Sequence, residues 1–207
     1  MRKFRSVAIG LVAALALGAL AGPVSAKPGK GKAKGKGKSK PAVTKIVFKL
    51  ADHQLAMGDT VTGSVLVLSK GKKKKRWKPL AGAVLSVSLD HQPVGTVTTG
   101  SDGRTTVQLL ADEPGEHVVK VRYAGDSKHK KAQRAQGFET TGTWFVDGDG
   151  DGYGDPSQPV SGLAQPAGTV ADGTDCDDGN ASVNPGAAED PLNAVDDDCD
   201  GTVDEAA

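Results

Sequence analysis

Hydrophobic and polar positions alternate through the middle of this chain. Ile46, Phe48 and Leu50 are separated by polar residues, and residues 61–68 form a β-branched run. Ala83, Leu85, Val87 and Leu89 alternate with Val84, Ser86 and Ser88. Val94 and Val97 come next, then a turn at Ser101-Asp102-Gly103. Thr105, Val107 and Leu109 repeat the pattern, Pro114-Gly115 breaks it, and Val119, Val121 and Tyr123 close the series. A period of two is that of a half-buried strand. Short strands with a turn signal about every ten residues predict an antiparallel sandwich. Nothing between residues 42 and 140 keeps a helical period over a useful length. The stretch after Lys128 is rich in Lys and Gln and predicts only a weak last strand.

The flanks differ from this middle. Arg2, Lys3 and Arg5 precede an apolar run over residues 7–21, and Val24-Ser25-Ala26 supplies small residues at a cleavage position. Residues 1–26 therefore predict a secretory signal. An uncleaved anchor is the alternative, but the apolar run is short against the roughly 20 residues a spanning helix needs. No Cys follows that run to carry a lipid, and no other segment is apolar enough to span a membrane. The mature protein is expected outside the cell, secreted or at the cell surface. Residues 27–41 alternate Lys with Gly, Ala, Ser and Pro, a composition that cannot bury a core.

A net charge of +1 hides a split. Residues 1–140 carry 26 basic and 9 acidic side chains, and residues 141–207 carry none and 16. The two parts are expected to do different jobs. The run from Lys70 through Lys72, Lys73, Lys74, Lys75, Arg76, Trp77 and Lys78 interrupts two strands. Such a loop is either a solvated connection whose Trp covers the sandwich edge or a polyanion contact with Trp77 stacking on a sugar or base. Anionic cell-surface or wall polymers, or another extracellular protein, are the partners this charge suggests, and export argues against nucleic acid.

The acidic part has its own order. Asp147, Asp149, Asp151 and Asp155 stand at positions one, three, five and nine of a loop whose sixth residue is Gly152 and whose seventh, Tyr153, offers a carbonyl. Asp196, Asp198, Asp200, Gly201, Thr202 and Asp204 repeat the spacing, followed by Glu205. Hard carboxylate oxygens at alternate positions of a sharply turning loop suit Ca²⁺. A solvated acidic turn is the alternative. Neither copy is an EF-hand, because its twelfth position is Gln158 or Ala207 instead of a bidentate Glu. Each ion then needs donors from between the loops: Asp175, Asp177, Asp178, Asn180 and Asn184. Copper would want imidazole or sulfur, and this part of the chain has no His and no Met.

Cys176 and Cys199, the only cysteines, both lie in the acidic part beside candidate ligands. In an oxidising compartment they read as a disulfide. Its closed loop of 23 residues is worth about 3 kcal/mol in the chain-entropy view. A thiolate metal site is the rival, and two cysteines with no nearby His make a poor one.

Two resemblances add to this. The runs WFVDGDGDGYGDPS, TDCDDGNASVNPGAAE and VDDDCDGTVDE resemble the MopE-type metal-binding repeat of bacterial secreted proteins, and more loosely the thrombospondin type 3 calcium repeats. That family carries further cysteines around the places held here by Leu163 and Pro191, which implies that one family disulfide is missing. Leu80-Ala81-Gly82-Ala83-Val84, the Asp102-Gly103 turn and Tyr123-Ala124-Gly125-Asp126-Ser127 are similar to bacterial Ig-like repeats of surface proteins. That resemblance implies a spacer or adhesive module rather than a chemistry.

No active site is evident. His53, His91, His117 and His129 are scattered with no zinc-ligand spacing, and no nucleophile elbow, zincin or phosphate-loop motif occurs. The expectation is an all-β, non-enzymatic protein: an Ig-like antiparallel sandwich over residues 42–140, then a loop-rich module over 141–207 stabilised by calcium and a disulfide. The alternative is a metal-acquisition protein whose cargo is copper.

Overall fold

The structure, a computed structural model, describes residues 40–71 and 76–204. The secretory signal, residues 27–39 of the basic linker, the Lys72, Lys73, Lys74 and Lys75 part of the basic loop, and Glu205 lie outside the described residues. Every regular element described is a strand. In order these are β1 (Val43–Leu50), β2 (Gln54–Ala56), β3 (Thr60–Lys70), β4 (Lys78–Pro79), β5 (Val84–Leu89), β6 (Gln92–Thr98), β7 (Arg104–Leu110), β8 (Gly115–Tyr123), β9 (Ala132–Val146), β10 (Pro159–Gly162) and β11 (Thr169–Val170). Among the described residues no helix is long and apolar enough to cross a membrane.

The strands form two sheets. One has the order β1-β3-β4, with β7 also pairing β3. The other has the order β10-β9-β8-β5-β6, with β2 and β11 also on β9. The β1-β3-β7 set corresponds to the A, B and E strands of an immunoglobulin sandwich, and β6-β5-β8-β9 to C′, C, F and G. The expected Ig-like, all-β class is therefore the observed one.

The chain divides into two compact units. The first runs to Ala51 and takes in Val61–Leu109 and Val118–Gln136. The second takes Asp52–Thr60, Leu110–His117 and the residues from Gly137 on. In the first unit the predicted alternation is the observed burial. Phe48, Val65, Val67, Leu85, Val87, Val107, Leu109, Val119 and Val121 are each at most 2% exposed. Full burial of one such side chain stabilises by roughly 1.5–3 kcal/mol. Phe48 faces Val65 across the antiparallel β1–β3 register, and Leu85 faces Tyr123 across β5–β8. The Asp102-Gly103 turn forms as expected, with Gly103 at φ 73° and Asp102 Oδ1 accepting from Arg104 N–H at 3.0 Å. In the basic loop, Lys70 Nζ lies 5.9 Å from the ring centre of the half-buried Trp77.

The last strand departs from expectation. β9 is not weak: at 15 residues it is the longest strand described. Its inward positions past Gln136 are Phe138, Thr140 and Gly142, so a threonine and a glycine stand where the sequence pattern would show apolar residues. In the second unit β9 is paired on several sides. Gln54↔Glu139 begins a parallel pairing with β2, Val160↔Trp144 lies in the antiparallel pairing with β10, and Thr169↔Val146 begins that with β11. His117 stacks on Phe138 at 5.1 Å between ring centres. These pairings fix the end of β9, from which the first acidic loop departs.

Candidate metal centre

The first loop starts immediately after Val146. Its base is closed by Asp155 N–H donating to the Val146 carbonyl at 2.9 Å, and Asp147 N–H donating to that of Gly168 at 3.1 Å. Inside, each carboxylate restrains the backbone just beyond it. Gly150 N–H donates to Asp147 Oδ1 at 2.7 Å, Asp151 N–H to Asp149 Oδ1 at 3.2 Å, and Tyr153 N–H to Asp151 Oδ1 at 2.9 Å. The fourth and sixth residues, Gly150 and Gly152, have φ of 85° and 102°, a region that favours glycine. With the turn made this way, oxygens of Asp147, Asp149 and Asp151 lie within 4.8 Å of one another.

Asp175 joins this group from the middle segment. Its N–H donates to the Gly154 carbonyl at 3.2 Å, and the residue is 2% exposed. Burial pushes its carboxyl up, and the negative charges of Asp151, Asp149 and Asp178 add to that. Asp178 sits at the same place, its Oδ1 accepting from Gly148 N–H at 2.9 Å. Asp149 Oδ2, Asp151 Oδ2 and Asp175 Oδ2 are all buried, and none has a hydrogen-bond partner. Leaving a buried carboxylate oxygen unpaired is costly, and several together more so. A bound cation supplies the missing partner, so the residues present fit one.

The second loop repeats the backbone. Asp200 N–H donates to Asp198 Oδ1 at 3.2 Å, Thr202 N–H to Asp200 Oδ1 at 2.8 Å, and Gly201 N–H to Asp196 Oδ2 at 3.0 Å. Its fourth and sixth residues, Cys199 and Gly201, again have positive φ, 58° and 92°. The oxygens gathered here within 4.8 Å of one another belong to Asp196, Asp198 and Glu189. Glu189 is a functional candidate that spacing alone missed. Its Oε1 accepts from Asp204 N–H and its Oε2 from Asp197 N–H, each at 2.9 Å. The available signal was its place at the end of the TDCDDGNASVNPGAAE run.

The remaining candidates fall outside both groups. Asp155 turns back on its own segment, accepting from Ser157 N–H and Gln158 Nε2 at 2.7 Å each. Hydrogen bonds from Ser157 and Gln158 hold its carboxyl below the usual range. Tyr153 is half-buried, with its hydroxyl so close to Gly186 that a Cβ there would lie 2.7 Å away. Asp177 and Asn180 are exposed, and the Asp177 carbonyl accepts from Asn180 N–H. Asn184 caps a turn through Oδ1 to Gly186 N–H at 2.9 Å, and its own N–H donates to the Asp197 carbonyl. Asp200 and Thr202 are exposed. Asp204 ties the loop to Ala194 N–H at 2.8 Å. Cys176 and Cys199 form a disulfide, S–S 2.03 Å, each cysteine following a member of one acidic group in sequence.

Residues 175–205 match the family model Cu-binding MopE, described as "Putative metal-binding motif". The match covers the middle segment and the second loop, and begins after the first loop. An uncharacterized protein of Archaeoglobus fulgidus is 26% identical over 96 residues, 46% of this chain and 66% of that one. Among solved structures, the D0-D1 domain of intimin is similar at 22% identity and a TM-score of 0.34, over 50% of each chain. The Yersinia pseudotuberculosis adhesin InvE is similar at 15% identity and 0.32, over 47% of this chain and 32% of that one. The chain thus spans less than two thirds of each of these proteins. What it carries is an Ig-like sandwich together with a metal-binding motif.

Proposed function

We propose that this is a secreted or cell-surface, non-enzymatic protein in which the Ig-like sandwich is a scaffold or adhesive module and calcium orders the acidic one. The observation that carries the calcium assignment is the set of buried, unpartnered oxygens on Asp149, Asp151 and Asp175. Both acidic groups offer oxygen donors only. Hard oxygens favour calcium, whereas copper favours imidazole and sulfur. The two sulfurs of the module are joined to each other and are not thiolates. Asp147, Asp149, Asp151 and Asp175, with Asp178 beside them, would hold one ion; Glu189, Asp196 and Asp198 would hold another. A bound ion would neutralise the crowded carboxylates and order the loops. Calorimetric titration of the full chain with calcium, magnesium and copper tests this. Calcium binding that persists in excess magnesium supports the reading, and binding of copper alone refutes it in favour of metal acquisition.

A further inference from the structure

Two open grooves, of about 630 and 570 Å³, lie in the first unit on either side of the start of β9. Both are lined by Ala132 and Gln133. Lys45, Lys49 and Arg134 line the first, and Lys120, Arg122 and Lys131 the second. No carboxylate among the described residues lines either groove. Among the described residues, none of these six cations is paired with a carboxylate; Arg104 pairs with Asp102 and His129 with Asp126 elsewhere. Three like charges lining one groove without counter-charge favour an anion there.

We infer that the two grooves beside the start of β9 bind an extended polyanion, a linear polymer bearing repeated phosphate or carboxylate groups. Strand geometry sets the spacing. Residues two apart on one face of a strand are separated by about 7 Å and residues four apart by about 13 Å. Lys120 and Arg122 are two apart on β8, and Lys45 and Lys49 four apart on β1. A polymer with regularly spaced anionic groups meets such rows repeatedly. In sequence, the Lys/Gly-rich residues 27–40 precede β1 with only Pro41 and Ala42 between. A second copy of this protein, offering its acidic module, is the weaker occupant. Of that module's carboxylates, Asp149, Asp151 and Asp175 have buried oxygens out of a partner's reach, and Glu189 and Asp196 accept backbone N–H groups of their own segment.

The inference rests on the reading of the protein as a surface-binding module and is independent of calcium. The test is titration of the full chain, after the signal, with polyphosphate, polygalacturonate and a neutral dextran. It is run in chelator and again in excess calcium. The triple variant Lys120→Gln, Arg122→Gln, Lys131→Gln is expected to bind polyanion about tenfold more weakly, and so is Lys45→Gln, Lys49→Gln, Arg134→Gln. A control that removes equal charge at exposed residues lining neither groove, Arg104→Gln, Lys128→Gln, Lys130→Gln, is expected to bind like wild type. Near-ultraviolet circular dichroism checks that each variant is folded. Preference between polyphosphate and polygalacturonate assigns phosphate or carboxylate as the anion. Equal loss in the control overturns the inference, leaving net charge alone as the cause. Binding unchanged in both groove variants overturns it as well. Self-association in sedimentation that the groove variants abolish, with no polymer binding, overturns it in favour of a second copy. Failure of the calcium reading appears separately, as calorimetry without a calcium signal while polyanion binding persists.

Discussion

Asp178 accepts the backbone N–H of Gly148 through Oδ1 at 2.9 Å, across 30 residues of chain. The contact leaves no room for a side chain at Gly148, where a Cβ would lie 2.8 Å from Asp178 Oδ2. It brings the middle segment against the first loop, and Asp175 comes with it. The first acidic group is thus assembled from two pieces of chain, neither of which is complete alone.

Asp175 is therefore expected to have opposite effects in the two metal states. Asp175→Ala removes a buried donor oxygen and should weaken calcium binding at the first loop by about tenfold or more, with Asp149→Ala similar. In chelator, Asp175→Ala should leave the second unit less strongly unfolded than wild type, with more near-ultraviolet signal retained, because a buried carboxylate crowded by Asp149, Asp151 and Asp178 has been removed. Calorimetry with calcium, and near-ultraviolet circular dichroism with and without chelator, check this. An Asp175→Ala protein with unchanged calcium affinity would remove Asp175 from the site.

Glu189 separates the second loop from the first. Glu189→Ala deletes a donor to the acidic group and two acceptors that hold Asp197 and Asp204 N–H groups. One of two calcium-binding events should be lost and the other retained. Asp190→Ala should matter much less, because Asp190 Oδ1 only caps an exposed turn at Leu192 N–H. Calorimetric stoichiometry distinguishes them; equal losses in the two variants would show that Glu189 is not a ligand.

The sandwich was legible because its core positions are apolar at a period of two, as at Ile46, Phe48 and Leu50. β9 was not, because Thr140 and Gly142 occupy inward positions and hide that period. The β5–β6 hairpin was also hard to read. Its turn uses Asp90 and His91 at φ 47° and 72°, where Asn-Gly is the usual signal. At the candidate metal centre, spacing picked out Asp147, Asp149, Asp151, Asp196 and Asp198, whose oxygens the structure gathers in two groups, since alternate positions on a turning loop converge by local geometry. Asp155, a ninth-position donor by spacing, stands apart from the first group and accepts from Ser157 and Gln158. Glu189 lies seven residues before its loop, and no local rule carries a side chain over that distance.

The Tyr123–Asp126 corner predicts a pH response in the first unit. Tyr123 Oη donates to Asp126 Oδ2 at 2.8 Å, and Asp126 also accepts from Lys128 and His129 N–H groups. Hydrogen bonds from His129, Tyr123 and Lys128 hold the Asp126 carboxyl far below the usual range. Its folded pKa lies below its unfolded one. Its contribution is then fully present above the unfolded value, near ~3.9, and is lost as pH falls through the lower folded value. Burial, with the Asp126 hydrogen bond and charge, pushes Tyr123 up to about 12. Its contribution is fully present below the unfolded value, near ~10, and lost as pH rises through about 12. Wild type should melt above Asp126→Asn by a constant margin near neutrality, and the margin should shrink in acid. The margin over Tyr123→Phe should shrink in strong alkali instead. Margins independent of pH would show that these hydrogen bonds do not contribute through ionisation.

The disulfide and the two acidic groups form one device, and calcium is expected to decide whether the second unit folds. Asp175-Cys176 and Asp198-Cys199 place a covalent link one residue from each group. The link closes 23 residues and is worth about 3 kcal/mol if chain entropy dominates. Against it stand 16 carboxylates over residues 141–207 with no Lys or Arg among them. Burying even one of these unpaired costs several kcal/mol, so the disulfide alone does not hold the acidic loops together. The apolar support is thin: Val183 is buried, but Leu192, Val195 and Val203 are exposed. A bound cation converts mutual repulsion among the Asp147, Asp149, Asp151 and Asp175 oxygens into shared attraction, and its binding free energy becomes folding free energy. The second unit also includes Asp52–Thr60, Leu110–His117 and the end of β9, so the full chain is the proper sample. In chelator its near-ultraviolet signal from Trp144 and Tyr153 should collapse while the β-sheet signal of the first unit remains. Excess calcium should restore it. Reduction of Cys176–Cys199 should raise the calcium concentration needed for that recovery. A near-ultraviolet spectrum that is native-like in chelator and unmoved by calcium would leave both acidic loops as surface turns with no role for an ion.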